Sequence, residues 1–131
     1  MLKSIVAIVV GFLLVTVLSG TADVVLMKAM PQAVHGGHFD DPVACAIILI
    51  YGLVFATIGA YVTARLAPHH PLRHALILGG IAFVLTLVVT LKLWGVAPPW
   101  YNLGSLIVPL LAAYLGGSLR ETQLRKPSAT A

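Results

Sequence analysis

The chain has 131 residues, of which 60% are hydrophobic and only 9% are charged, whereas a soluble domain usually carries about 25% charged residues. A mean hydropathy of +1.02 excludes a disordered protein, a nucleic-acid-binding domain and an ordinary cytosolic enzyme. The composition predicts a polytopic membrane protein that has the lipid bilayer, and no nucleic acid, as its partner.

Four stretches are long and apolar enough to form transmembrane helices, since a hydrocarbon core of about 30 Å requires about 20 helical residues. The predicted spans are residues 5–27, 43–64, 74–94 and 102–119. Strands are not expected, because the apolar runs show no sustained alternation. The sequence therefore predicts an all-α membrane fold, a four-helix transmembrane bundle over residues 1–119, with a loose cytoplasmic tail at 120–131. A signal peptide cleaved after Ala22 is a second interpretation of the first span, but the apolar run resumes at residues 24–27.

The distribution of basic residues predicts the orientation of the bundle. One side receives Lys3, Arg65, Arg73, Arg120, Arg125 and Lys126, and the other receives Lys28 and Lys92. Because cytoplasmic segments carry the excess of Lys and Arg, both chain termini are expected in the cytoplasm.

Small residues at every fourth position predict the faces through which the helices pack. They are Gly52, Ala56, Ala60 and Ala64 in the second span, and Ser105, Pro109, Ala113 and Gly117 in the fourth. Each member of the second set lies 53 positions after its counterpart. The pattern is that of two repeated helical hairpins, with chance similarity among small residues as the open alternative.

Four polar residues within the spans are candidates for function. Asp23 is the only acid in a predicted span, and an intramembrane charge is a functional candidate by default. Lys92 lies at a similar depth, so an Asp23–Lys92 pair, solvation at the boundary, and proton or ion handling all stay open. Thr86 and Thr90 share one face of the third span.

Two further clusters lie in the connections between the spans, and the second extends to His74, the first residue of the third span. His35, His38, Asp40 and Asp41 in the first connection could bind a divalent ion such as zinc, with a mobile polar loop as the alternative. The second cluster comprises Arg65, His69, His70, Arg73 and His74. It could bind anionic lipid head groups, or its basic residues could serve only to fix the orientation of the helices in the membrane. No catalytic motif is present in the sequence, so no catalytic residue and no cofactor are predicted.

Two segments carry a resemblance to a known group of proteins. Residues 59–68 read Gly-Ala-Tyr-Val-Thr-Ala-Arg-Leu-Ala-Pro, and residues 71–79 read Pro-Leu-Arg-His-Ala-Leu-Ile-Leu-Gly. Together with Trp100-Tyr101 and residues 116–120, this pattern resembles small uncharacterised bacterial membrane proteins with four transmembrane helices. The resemblance implies a multi-pass protein of the bacterial inner membrane and implies no activity.

Three functions stay open on the sequence alone. The leading hypothesis is a non-enzymatic helical bundle that packs with itself or with a membrane partner, because small-residue faces are abundant. The first alternative is a small oligomeric transporter or channel, which would show a solvated path lined by Asp23, Thr86 and Thr90. The second alternative is a lipid-interacting enzyme or sensor that uses the His/Arg cluster.

Overall fold

Four long helices make up most of the molecule. The structure is a computed structural model that describes residues 1–126. The helices are α1 (Leu2–Ala29), α2 (Pro42–Leu66), α3 (Pro71–Lys92) and α4 (Pro99–Arg125). At a rise of 1.5 Å per residue, even the 22-residue α3 is about 33 Å long. All four are long and apolar enough to cross a membrane, so the predicted all-α four-helix bundle is confirmed.

The helix bounds differ from the predicted spans mainly in α4. The predicted fourth span ended at residue 119, but α4 continues to Arg125. The first six residues of the predicted tail are therefore helical, and residues 127–131 of that tail lie outside the described residues. α4 also continues across the buried Pro109, where the sequence predicts a kink.

The connection between α1 and α2 contains secondary structure of its own. It contains a short 3₁₀ turn, Pro31–Ala33, and a two-stranded antiparallel hairpin of β1 (Val34–His35) and β2 (His38–Phe39). Gly36 and Gly37 join the strands with φ values of 56° and 84°. Positive φ at both central residues is the pattern of a tight two-residue hairpin turn, which glycine adopts without steric cost. These two glycines therefore define the turn of the hairpin.

The helices follow the order α1, α2, α4, α3 around the bundle. α2 and α4 make the most extensive contact, whereas α1 packs mainly on α2 and only sparingly on α3. We call the end with the β-hairpin and the α3–α4 connection the hairpin end, and the opposite end, with the α2–α3 turn, the terminal end. Large apolar side chains cover the outer surface of all four helices, as expected where lipid replaces water.

Small residues form the helix crossings. A Cβ on Gly11 would lie 2.8 Å from the carbonyl oxygen of Gly59, so α1 and α2 are in backbone contact there. The hydroxyl of the fully buried Thr63 donates to the carbonyl of Ala7, 3.2 Å away across the same crossing. A Cβ on Gly116 would lie 2.6 Å from the carbonyl oxygen of Thr57, which shows that α4 approaches α2 equally closely.

Most, but not all, of the predicted packing residues lie in these crossings. Ala60, Ala64 and Ala113 are at most 2% exposed, and a Cβ on Gly117 would lie 2.9 Å from the Cβ of Ala75. Ala56 lines a void of about 60 Å³ at the bundle centre. The prediction that Gly52 packs against another helix is wrong, because a Cβ there would meet nothing within 4 Å. The helix is rotated so that Gly52 lies away from its neighbours.

The two helical hairpins use related contacts. Gly11 faces Gly59 in the first hairpin, and a Cβ on Gly79 would lie 2.4 Å from the Cβ of Ala113 in the second. The 53-position displacement would match Gly59 with Ala112, so the contacting residues are offset by one from the sequence repeat. Duplication of the hairpin stays a prediction.

Candidate functional site

A cavity of about 580 Å³ opens between α1 and α3 at the hairpin end of the bundle. We call it the α1–α3 cavity. Its apolar wall consists of Phe12, Leu26, Met27, Phe39, Ile48, Ala82, Leu85, Val89, Leu93, Val96 and Ala97, and its polar side chains are Asp23, Thr86, Thr90, Tyr101, Asn102 and Ser105. The cavity exists because α1 and α3 are neighbours around the bundle but touch only sparingly. A mostly apolar concavity with a few polar groups is the usual form of a small-molecule site.

The structure brings three of the four predicted intramembrane residues together. Asp23 lies on the α1 wall of the cavity, and Thr86 and Thr90 lie one turn apart on the α3 wall. The hydroxyls of Thr16 and Thr57 donate to the carbonyl four residues earlier in their own helices. Thr86 and Thr90 make no such bond within residues 1–126, so their hydroxyls are available to a ligand.

Asp23 has a hydrogen-bond partner that the sequence did not predict. The hydroxyl of Tyr51, on α2, donates to the Asp23 carboxylate. Lys92 does not line the cavity, and among the described residues it forms no ion pair with Asp23. The predicted Asp23–Lys92 pair is therefore not formed among the described residues. The exposed Asp23 side chain instead accepts a hydrogen bond from the uncharged Tyr51 hydroxyl, and no described basic side chain lines the cavity.

Asn102 and Ser105 are site residues that sequence reasoning missed. Asn102 is 6% exposed and donates through Nδ2 to the carbonyl of Ala97, 3.3 Å away. Ser105 donates to the carbonyl of Asn102 at 2.8 Å. The signal in the sequence was the amide of Asn102 at the start of the fourth span, beside the aromatic pair.

The β-hairpin covers the hairpin end of the cavity. The amide of Phe39 donates to the carbonyl of Val96 at 2.7 Å, and Nδ1 of His38 donates to the carbonyl of Gly95 at 3.1 Å. The ring of Phe39 packs edge-on against Tyr101 with centroids 5.9 Å apart. The α1–α2 connection is thus hydrogen-bonded to the α3–α4 connection at the hairpin end of the cavity.

The four residues of the predicted zinc site do not converge. Asp41 caps α2 by accepting the amide of Ala44 at 2.8 Å, and His38 is bonded to Gly95. His35 and Asp40 remain as an exposed contact of 3.9 Å. Among residues 1–126 no three His, Cys, Asp or Glu side chains form a metal-binding group. The geometry therefore gives the zinc hypothesis no support, because capping and hairpin docking take two of its donors.

The predicted His/Arg cluster is divided between two faces of the terminal end. His70 and Arg73 line a shallow groove of about 360 Å³ together with residues of α4. Nδ1 of His74 donates back to the carbonyl of His70 at 3.1 Å, and His69 is exposed in the α2–α3 turn. Arg65 lies outside the groove and donates to the Tyr61 hydroxyl at 3.5 Å.

No protein-family model, no curated protein and no solved structure matches this chain. The fold and the geometry of the cavity are therefore the basis on which the function is inferred.

Proposed function

We propose that this multi-pass membrane protein binds an apolar organic cation in the α1–α3 cavity. The observation that carries the proposal is the single carboxylate of Asp23 in a largely apolar cavity whose wall contains no Lys, Arg or His among the described residues. A volume of about 580 Å³ lies within the range of about 300–1,000 Å³ that holds small organic ligands. Apolar surface favours a lipophilic ligand, and the uncompensated negative charge favours a positive one.

Other residues around Asp23 also favour the binding of an organic cation. Tyr51 holds one side of the carboxylate, which fixes its direction without neutralising it. The rings of Phe39 and Tyr101 line the same cavity, and aromatic faces attract organic cations. The sparse contact between α1 and α3 supports entry of the ligand sideways from the bilayer.

Binding of a matched ion pair tests the proposal. Tetraphenylphosphonium and tetraphenylborate have the same shape and opposite charges, so they separate charge recognition from simple partitioning into lipid. We expect the protein in lipid nanodiscs to bind the cation above the background of empty nanodiscs and to show no such preference for the anion. Equilibrium dialysis with both ions measures this difference directly.

Asp23→Asn and Asp40→Asn form a matched pair of variants. The asparagine at position 23 can still accept the Tyr51 hydroxyl, so only the charge is lost, whereas Asp40 lies outside the cavity. We expect D23N to lower cation affinity about ten- to a hundredfold, the usual worth of a charge-assisted contact, and D40N to leave it unchanged. Equal binding of both ions, or equal effects of both variants, would refute the proposal.

Transport of the same cation is the second candidate function. The hydroxyls of Thr86 and Thr90 extend the polar lining along α3, which favours a path for a charged solute. The Gly11–Gly59 and Gly79–Ala113 contacts close the bundle beyond the cavity, so transport requires these crossings to open. Uptake of tetraphenylphosphonium into vesicles, compared between the native chain and D23N, distinguishes transport from binding alone.

Self-association through small residues has less support than ligand binding. Ala60, Ala113 and Gly117 are used within the bundle, so they are not free for a second copy or a membrane partner. Gly52 is a predicted packing residue at which an added Cβ would meet nothing within 4 Å. Chemical cross-linking in lipid of the native chain and of Gly52→Leu tests the remaining surface.

We also infer a bacterial inner-membrane location with both termini in the cytoplasm. The support is the excess of basic residues toward the terminal end of the bundle and the rule that such residues stay on the cytoplasmic side. Cys45 is the only cysteine and is fully buried. New cysteines at positions 3 and 94 can therefore be labelled selectively, and we expect an impermeant reagent added to intact cells to modify only the second.

A further inference from the structure

Two arginines at the terminal end are connected through neutral side chains only. Nη1 of Arg65 donates to the Tyr61 hydroxyl at 3.5 Å, and that hydroxyl donates to Oε1 of Gln123 at 2.8 Å. Nη1 of Arg120 donates to the same Oε1 at 3.5 Å. We call these four residues the α2–α4 arginine site, because two of them lie on each of these helices.

Within residues 1–126, no carboxylate neutralises this site. The four acidic side chains of the whole chain are Asp23, Asp40, Asp41 and Glu121. The three aspartates belong to the hairpin end, and Glu121 is paired with Arg125. Among residues 1–126 neither Arg65 nor Arg120 forms an ion pair. Two positive charges thus share one surface without a side-chain counter-ion from the part of the chain that the structure describes.

The guanidinium groups also keep unused hydrogen-bond donors. An arginine side chain has five N–H donors, and one nitrogen of each arginine contacts the neutral groups described above. Among residues 1–126, Nε of Arg120 is buried and has no hydrogen-bond partner, so the donors open to a ligand are the remaining Nη groups. Phosphate, with several acceptor oxygens, matches the planar fork of arginine, as carboxylate also does.

We propose that Arg65 and Arg120 bind a phosphate group at this site, independently of the α1–α3 cavity. The site lies where α2 ends at Leu66 and where α4 passes beyond its apolar part, and we expect such a position to lie near the lipid head groups. A phosphodiester of an anionic phospholipid is therefore the ligand that the position favours, and free inorganic phosphate is the other source of the same chemistry. Tyr61 and Gln123 position the two guanidiniums toward each other.

Native mass spectrometry of the full chain, released from micelles that contain phosphatidylglycerol or phosphatidylcholine, tests the site. We expect the native chain to retain phosphatidylglycerol, and the double variant Arg65→Gln/Arg120→Gln to retain about tenfold less or lower still. The control Lys3→Gln/Lys126→Gln removes the same charge from the same end of the bundle and should retain at least half of the native amount. Addition of inorganic phosphate separates the two sources: displacement of the lipid identifies a site for the free anion, and retention identifies a head-group site.

The exposed position of Arg65 keeps the proposal testable even where the double variant does not fold. Arg65→Gln alone leaves the buried part of the bundle untouched and should lower phosphatidylglycerol retention several-fold, with Arg65→Lys recovering only part of it. Equal retention of both lipids by the native chain, or an equal loss in the lysine control, would overturn the assignment, because either result means that only diffuse surface charge is at work.

Discussion

Replacement of Gly116 by alanine should separate α4 from α2. The added Cβ would lie 2.6 Å from the carbonyl oxygen of Thr57 and 2.7 Å from the amide nitrogen of Tyr61, both of them backbone atoms that no side-chain rotation can move. Contacts between non-bonded heavy atoms are optimal near 3.5–4.0 Å, so the helices must move apart by about 1 Å. Overpacking of this kind costs about 1–3 kcal/mol.

Gly80→Ala is the matched control. It makes the same substitution inside α3, where a Cβ would meet nothing within 4 Å. Both variants gain about 1 kcal/mol of helix propensity, so this term cancels in the comparison and leaves the clash of about 1–3 kcal/mol.

The single cysteine supplies the assay. Cys45 is fully buried, so a thiol-reactive fluorophore labels it only as the bundle opens on heating in detergent. We expect the apparent melting temperature of G116A to lie several degrees below that of G80A. A G116A protein that melts at or above G80A would show that α2 and α4 are not in backbone contact, and the described packing would then be wrong.

The remaining predictions concern one hydrogen bond between helices and one turn. Thr63→Val should lower the free energy of unfolding by about 0.5–1.5 kcal/mol through loss of the bond to Ala7. Thr57→Val removes only a bond within its own helix and should lower the free energy of unfolding by less. The same melting assay compares the two variants, and equal losses of stability would contradict the reasoning. Gly37→Ala forces a side chain to adopt a φ of 84° at a cost of about 1–2 kcal/mol, so hydrogen exchange at the Phe39 amide should accelerate, and an unchanged rate would rule out the described turn.

The transmembrane helices could be predicted from the sequence because their length and apolar composition suffice. The rotation of each helix could not. Gly52 and Gly117 both belong to the predicted small-residue runs, but only Gly117 lies at a crossing. Hydropathy does not separate them, since each helix is apolar on nearly all sides and lipid-facing and protein-facing residues are equally apolar.

The candidate site was predictable only in part for a related reason. Asp23, Thr86 and Thr90 stood out because polar groups are rare in the spans, and the structure does gather them in one cavity. The partner of Asp23 depended on the register between α1 and α2, which the connection sets and which no spacing in the sequence reveals. The sequence therefore does not indicate Tyr51, 28 positions along the chain, as the partner, and it leaves the Asp23–Lys92 pair as one of three open interpretations.

The bond between the Phe39 amide and the Val96 carbonyl has a consequence for biosynthesis. Chains are made and inserted from the N-terminus onward, so the first helical pair enters the bilayer before the residue that accepts this bond has been translated. The β-hairpin can dock only after α3 and Val96, which precedes α4, have followed. Protection of this amide from exchange during synthesis would therefore mark the moment at which the α3–α4 connection has reached the hairpin.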